Sequence, residues 1–373
     1  MANIFDYLRW RGDLSFTQDP PNAVDALVFS ALSYINYGCR VEADPKTPVL
    51  LQDAAEEFFA QSDQEARVRV KHDLELLRLA AASARFGQTK ICMFRNEFIP
   101  EQETQFAAMS FLLDDGSMFL AFRGTDYSLI GWKEYFNMTF QQTIPAQRLA
   151  LQYTREVAME YMLPMHLGGH SKGGNLAVFA AARSSPMIQE LIRSVYSNDG
   201  PGFTQYLMGD PGYLAMVPRI KTYIPQSSVI GMLLEHEEPY TVIRSKTVGI
   251  LQHDPYSWEV LGRDFIPVQE ITESSQFVDA TIKTWFADMT NQERNQLVDV
   301  MFALLGSGGV ENVQDLLNPK NIRTYIKTLS SDVNLRRILS TEFQGLLDAA
   351  RRTKQRFDDL REAELLLEEG KAP

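Results

Sequence analysis

Cysteine is nearly missing from this chain: Cys39 and Cys92 are the two in 373 residues, and no CxxC pair occurs. Two thiols cannot build a disulfide framework, so the expectation is free thiols in a reducing compartment. A basic excess is missing as well. Lys and Arg number 36 against 48 Asp and Glu, for a net charge of −12. Nucleic acid is thereby excluded as a main partner, because phosphate binding needs a basic face. No run of about 18 apolar residues is present, so no membrane span is expected. The opening Met1-Ala2-Asn3-Ile4-Phe5 lacks a basic region followed by a long apolar core, so no signal peptide is expected and a cytoplasmic location is. Internal repeats and low-complexity tracts are absent. The Arg11-Gly12-Asp13 triplet is a chance occurrence of an integrin-binding tripeptide.

What is present is ordinary globular composition, 45% hydrophobic and 23% charged. The length suits one large α/β domain with additions, or two domains. The most informative stretch is Leu167-Gly168-Gly169-His170-Ser171-Lys172-Gly173-Gly174-Asn175. Its Gly169-x-Ser171-x-Gly173 is the pattern of a nucleophile elbow. A short apolar run, Tyr161 to Leu167, precedes it, and the helix-forming run Asn175 to Arg183 follows. Ser171 therefore sits where a strand turns into a helix. Small neighbours let strand and helix pass closely, and the helix N-terminus aims free N–H groups at a reacting carbonyl oxygen.

Upstream, residues 1–40 read as an N-terminal helical cap, with a helix over Val24–Tyr37 and Asn22 as its N-cap. Residues 52–86 read as one or two helices, with strong periodicity over Ala66–Leu79 that places His72 among charges on a solvated face. Strands begin with Thr89–Phe94. Thr104–Leu113 and Met118–Arg123 flank Asp114-Asp115-Gly116-Ser117, a hairpin signal. The second of these runs is nearly all apolar, as a strand buried on both faces would be. It ends at Gly124-Thr125, where a backbone N–H and a hydroxyl can serve as oxyanion donors or simply form a turn. Residues 130–142 are aromatic-dense and fit either a lid or a core-facing helix. Pro145–Tyr161 is a clear helix with proline at a permitted first position.

Leu191–Ser197 reads as the strand after the elbow helix and runs into Asn198-Asp199-Gly200. Sites in open α/β sheets lie beyond the carboxyl ends of strands, which makes Asp199 a candidate acid. A turn aspartate before glycine is the other reading. A further strand spans Arg219–Ile224, and residues 240–251 read as strand or hairpin. Of the five histidines, His166 and His170 flank the nucleophile too closely to approach its hydroxyl, and His72 precedes the sheet. His236 and His253 lie downstream, where the order nucleophile, acid, base wants the imidazole. His253, in a loop after a strand, is preferred over His236 in the charged Leu234-Glu235-His236-Glu237-Glu238. From about residue 275 the chain turns helical, with segments over Gln292–Leu305, Val310–Leu317, Asn321–Ser330 and Asp332–Arg351. That gives an expected division into residues 1–270 and a helical region over 271–373, which could cap the domain or mediate oligomerisation.

Two segments, Ala121-Phe122-Arg123-Gly124-Thr125 and Gly169-His170-Ser171-Lys172-Gly173-Gly174, resemble the class 3, fungal-type lipases of the α/β-hydrolase superfamily. The opening Asn3–Leu14 and the His170–Asn175 block are more closely similar to a bacterial lipase-like family known as domain of unknown function 2974. The closer resemblance covers roughly residues 1–260, and the lipase resemblance is specific over 106–200. It implies an α/β-hydrolase fold with a mostly parallel sheet covered by helices. It implies Ser171 as nucleophile, His253 as base, and Thr125 with the Lys172 backbone N–H as the oxyanion hole. Lys172 departs from the leucine usual in such lipases and places a cation beside the nucleophile. The acid of such lipases follows the next strand, where this chain has Gln226-Ser227-Ser228 and no carboxylate. The acid is then Asp199, or one of Glu235, Glu237 and Glu238, or the triad is incomplete. The expected activity is cleavage of a small-molecule ester or lipid without metal or organic cofactor. The alternatives are an inactive hydrolase-fold binding module, or a thioesterase or acyltransferase.

Overall fold

The computed structural model describes residues 2–368. They divide into two compact units, Met1–Ile271 and Thr272–Pro373. The first is built on one eight-stranded sheet in which neighbours in space are neighbours in sequence. Its strands are β1 (Val49–Leu50), β2 (Lys90–Ile99), β3 (Thr104–Leu112), β4 (Met118–Phe122), β5 (Met165–His170), β6 (Ile192–Asn198), β7 (Ile220–Pro225) and β8 (Tyr240–Ile243). Pairing is antiparallel from β1 to β4 and parallel from β4 to β8. The architecture is the α/β-hydrolase arrangement expected.

β4 shows why the sequence folds this way. Met118, Leu120 and Phe122 enter one apolar core with Phe106, Tyr153, Val157, Leu167 and Leu176. Phe119 and Ala121 enter the opposite core with Phe29, Phe111 and Tyr196. Alternate side chains leave opposite faces of a strand, so a strand covered on both sides must be apolar throughout. The β3–β4 hairpin is closed by Asp115, whose Oδ1 accepts from the Ser117 N–H at 2.9 Å, and by Gly116 at φ 80°.

The helix Pro145–Tyr161 and the elbow helix Lys172–Arg183 cover one face. The helix Ala23–Leu32 covers the other; Asn22 caps it and Asp25 closes a capping box. This helix stops short of the expected Tyr37 because Arg123, at the end of β4, takes the Ser33 carbonyl at 2.6 Å. The periodic stretch Ala66–Leu79 also differs from expectation. Helix begins at His72, where Asp73 Oδ2 accepts from the Val70 N–H at 2.9 Å and Val68 is extended.

Within the second unit the helices are Glu273–Ala287, Asn291–Gly306, Pro319–Ser331 and Val333–Glu368. Val310–Leu317 is not a helix; it holds a short 3-10 turn, Val313–Asp315, after Gly309 at φ 72°. No helix among the described residues is long and apolar enough to cross a membrane.

Candidate active site

The parallel strands end together. Phe122 pairs with Gly169, His170 with Asn198, and Asn198 with Tyr223. Each candidate residue on a strand end is thus delivered to one edge of the sheet. Ser171 stands between β5 and the elbow helix at φ 60°, ψ −133°, a strained conformation for a residue with a side chain. The chain around it explains the strain. A Cβ on Gly169 would lie 2.2 Å from the Gly173 carbonyl carbon, and one on Gly173 would lie 2.1 Å from the Phe122 carbonyl oxygen. Only glycine permits strand and helix to cross that closely. The Ser171 N–H donates to the Asn198 carbonyl at 2.9 Å, which ties the elbow to the residue before Asp199. Ser171 is 7% exposed.

Asp199 follows β6 at φ 51° and is fully buried. Its Oδ2 faces His253 Nδ1 at 2.6 Å, while Oδ1 accepts from the Ser228 hydroxyl at 2.5 Å and from the Gly231 N–H at 3.1 Å. The loop after β7 supplies Ser228 as a donor to Asp199. A carboxylate with its lone pairs so filled is held in one orientation. His253 closes the 3-10 turn Gly249–His253, and its side chain is 25% exposed.

His170 packs against His253 and holds its backbone. The two rings lie 4.5 Å apart, and His170 Nε2 is 2.8 Å from the His253 carbonyl. A carbonyl can only accept, so Nε2 carries the hydrogen, and Nδ1 is left to accept from the Tyr34 hydroxyl at 3.2 Å. Burial first, then the neighbouring His253, hold His170 well below the ordinary histidine range, so it stays neutral. Burial pushes the Tyr34 hydroxyl up to about 12, which keeps it a donor.

The Gly124-Thr125 loop lies against the elbow. A Cβ on Gly124 would meet the Tyr34 hydroxyl at 2.1 Å, the His170 carbonyl at 2.5 Å and Ser171 Cβ at 3.1 Å. Thr125 Oγ1 is sealed from solvent and has no hydrogen-bond partner among the described residues. Lys172 is the first residue of the elbow helix, where a backbone N–H has no intrahelical acceptor. Its side chain turns away from the nucleophile and is fully buried. Nζ reaches the Gln105 carbonyl at 2.6 Å, Gln105 Oε1 at 2.8 Å and Glu134 Oε2 at 2.8 Å. Sequence reading leaves this cation beside the nucleophile; the structure neutralises it internally. Glu134 also accepts from the Gln105 and Ala146 N–H groups, at 3.1 and 2.9 Å. The aromatic-dense helix Leu129–Asn137 is thereby fixed to β3 and the elbow helix by its own buried glutamate. Asn175 completes the frame, donating to the Pro201 and Gly202 carbonyls and accepting from Gln147 at 2.9 Å.

The remaining candidates lie elsewhere. His166 Nδ1 is 2.7 Å from Ser194 Oγ, and burial lowers it to about 4. His236 Nε2 donates to the Gly231 carbonyl at 2.9 Å, and its Nδ1 is 3.1 Å from Glu238 Oε1. Burial alone would raise Glu238, but His236, Thr222 and Tyr213 together keep its carboxyl below the ordinary range. Glu237 accepts from the Gly209 N–H, and Glu235 pairs its backbone with Phe203. Ser228, Gly231, Tyr34 and Glu134 escaped sequence reasoning because nothing in their local pattern separates them from turn or helix residues. Among the described residues no cluster of three or more His, Cys, Asp or Glu is placed to hold a metal ion.

A model of the Mbeg1-like family matches residues 80–303, a stretch that holds β4, the elbow, Asp199 and His253. The chain belongs to the Mbeg1-like family, a lipase-like family. Among solved structures it is similar to the Rhizomucor miehei lipase in its native propeptide complex, at 12% identity and a TM-score of 0.38 over 65% of this chain and 81% of that one. It is also similar to the M37 lipase, at 12% identity and a TM-score of 0.34 over 56% of this chain and 67% of that one. No curated protein matches the sequence.

Proposed function

We propose that this Mbeg1-like protein is a serine hydrolase that cleaves carboxylic esters through an acyl-enzyme. Ser171 is the nucleophile, His253 the general base and acid, and Asp199 the group that orients the imidazole. Ser171 Oγ attacks the carbonyl carbon while its proton passes to His253 Nε2. The carbonyl oxygen takes up the negative charge between the Lys172 N–H and Thr125, each donor being worth about 3–4 kcal/mol in well-studied sites. His253 then returns the proton to the departing alkoxide as the carbon–oxygen bond breaks. Water repeats the attack on the acyl-enzyme, gives its proton to His253, and releases acid and free Ser171.

The observation that carries this reading is the 2.6 Å contact of Asp199 Oδ2 with His253 Nδ1. It leaves Nε2 as the nitrogen with the free lone pair, on a residue whose ring lies 4.5 Å from that of His170, the neighbour of Ser171 in the chain. The partnerless Thr125 Oγ1 at the same loop supports an oxyanion role. The test is hydrolysis of p-nitrophenyl esters of graded chain length. Turnover is expected in the native protein and abolished in Ser171→Ala and His253→Ala. Native turnover that persists unchanged in Ser171→Ala overturns the reading, and no turnover of any ester by the folded protein favours a binding module.

A further inference from the structure

The helix Pro319–Ser331 carries Lys320, Arg323 and Lys327 and no acidic residue, in a chain of net charge −12. Asn321, Thr324, Tyr325, Thr328 and Leu329 are half-buried, so they form its packed side. Ile322, Arg323, Ile326 and Lys327 are exposed, so the outward face sets an aliphatic ridge beside a cationic row. Apolar residues flank it at both ends: Leu317 is 82% exposed and Val333 66%, with Ile326 at 59% between them. None of the three cations is paired with a carboxylate among the described residues.

A single exposed aliphatic needs no explanation, but Ile322 and Ile326 one turn apart, beside three unpaired cations on the same helix, do. The two isoleucines and the cations share the outward side of one helix, away from its half-buried residues. Such a helix can lie in the plane of a lipid headgroup layer, with aliphatics inserted and cations at the phosphates. The acidic remainder of the chain does not forbid this. At physiological ionic strength charges act over about 8 Å, so the local sign decides.

We propose that this face docks the protein on an anionic lipid surface, with Ile322 and Ile326 inserted and Lys320, Arg323 and Lys327 at the headgroups. The proposal is independent of the hydrolase chemistry, so its test uses Ser171→Ala full-length protein. Co-sedimentation is measured with phosphatidylcholine vesicles and with vesicles containing roughly a third phosphatidylglycerol. Binding to the anionic vesicles is expected, weakening at least about tenfold on pure phosphatidylcholine or in about 1 M salt. Each neutralised cation should weaken it about fivefold, so Lys320→Gln/Arg323→Gln/Lys327→Gln loses about a hundredfold. Ile322→Glu/Ile326→Glu should abolish binding with its circular dichroism unchanged, while Lys320→Arg/Lys327→Arg retains it. Equal binding to both vesicles, or unchanged binding by the variants, overturns the proposal. So does self-association that these variants abolish in a protein that ignores vesicles, which would give the face to a second copy.

Discussion

Lys172 and Glu134 form a buried ion pair, Nζ to Oε2 at 2.8 Å, directly behind the elbow serine. It links the first residue of the elbow helix to a helix that precedes it in sequence, and both side chains are sealed from solvent. A charge left alone there has no water to turn to. Lys172→Met should therefore cost about 3–5 kcal/mol of stability, and the double variant Lys172→Met/Glu134→Gln should recover part of it. Urea denaturation of the three proteins checks the order. A single variant as stable as the native protein would show that the pair is not what holds these helices.

Gly124→Ala has no space for its methyl group between the Tyr34 hydroxyl and the His170 carbonyl. Backbone must move, and that backbone leads to Thr125. We expect ester turnover to fall at least about a hundredfold, since a misplaced oxyanion donor costs that much, together with about 1–3 kcal/mol of stability lost to overpacking. Kinetics and a melting curve on the same sample separate the two effects.

Ser228 donates to Asp199 and touches no substrate in this account. Ser228→Ala should lower kcat about tenfold with KM unchanged, because Asp199 loses one of the donors that fix its orientation toward His253. Asp199→Asn should be far worse, about ten-thousandfold in kcat, through loss of the correct imidazole tautomer. Equal effects of the two substitutions would contradict the division of roles.

Acid should destabilise the fold through His166 as well as through the carboxylates. His166 is lowered by burial to about 4 in the folded state, while the unfolded chain takes up its proton near 6.5. Between these values the unfolded state binds more protons. The histidine's contribution is therefore present above about pH 6.5 and lost as pH falls toward 4. Denaturation midpoints of the native protein and His166→Gln across that window should converge at the acid end.

Much of the fold is legible because its signals are local. The all-apolar β4, the Asp115-Gly116 turn and the Pro145–Tyr161 helix each follow from a few adjacent residues. The positions of Ser171 and Asp199 at strand ends, and of His253 in a later loop, are legible from order alone. What escapes is whatever depends on long-range partners. The periodicity of Ala66–Leu79 cannot reveal that Asp73 caps the chain at Val70. Lys172 reads as a free cation beside the nucleophile because its partner Glu134 lies 38 residues away. Ser228 reads as a turn residue until Asp199 is folded against it.

The central claim is a reactive hydroxyl at position 171, and intact-protein mass spectrometry after treatment with a fluorophosphonate tests it most directly. The account predicts a single phosphonyl adduct mapped to Ser171, absent from Ser171→Ala and strongly slowed in His253→Ala. No adduct on the native protein, or an adduct that persists in Ser171→Ala, would contradict it.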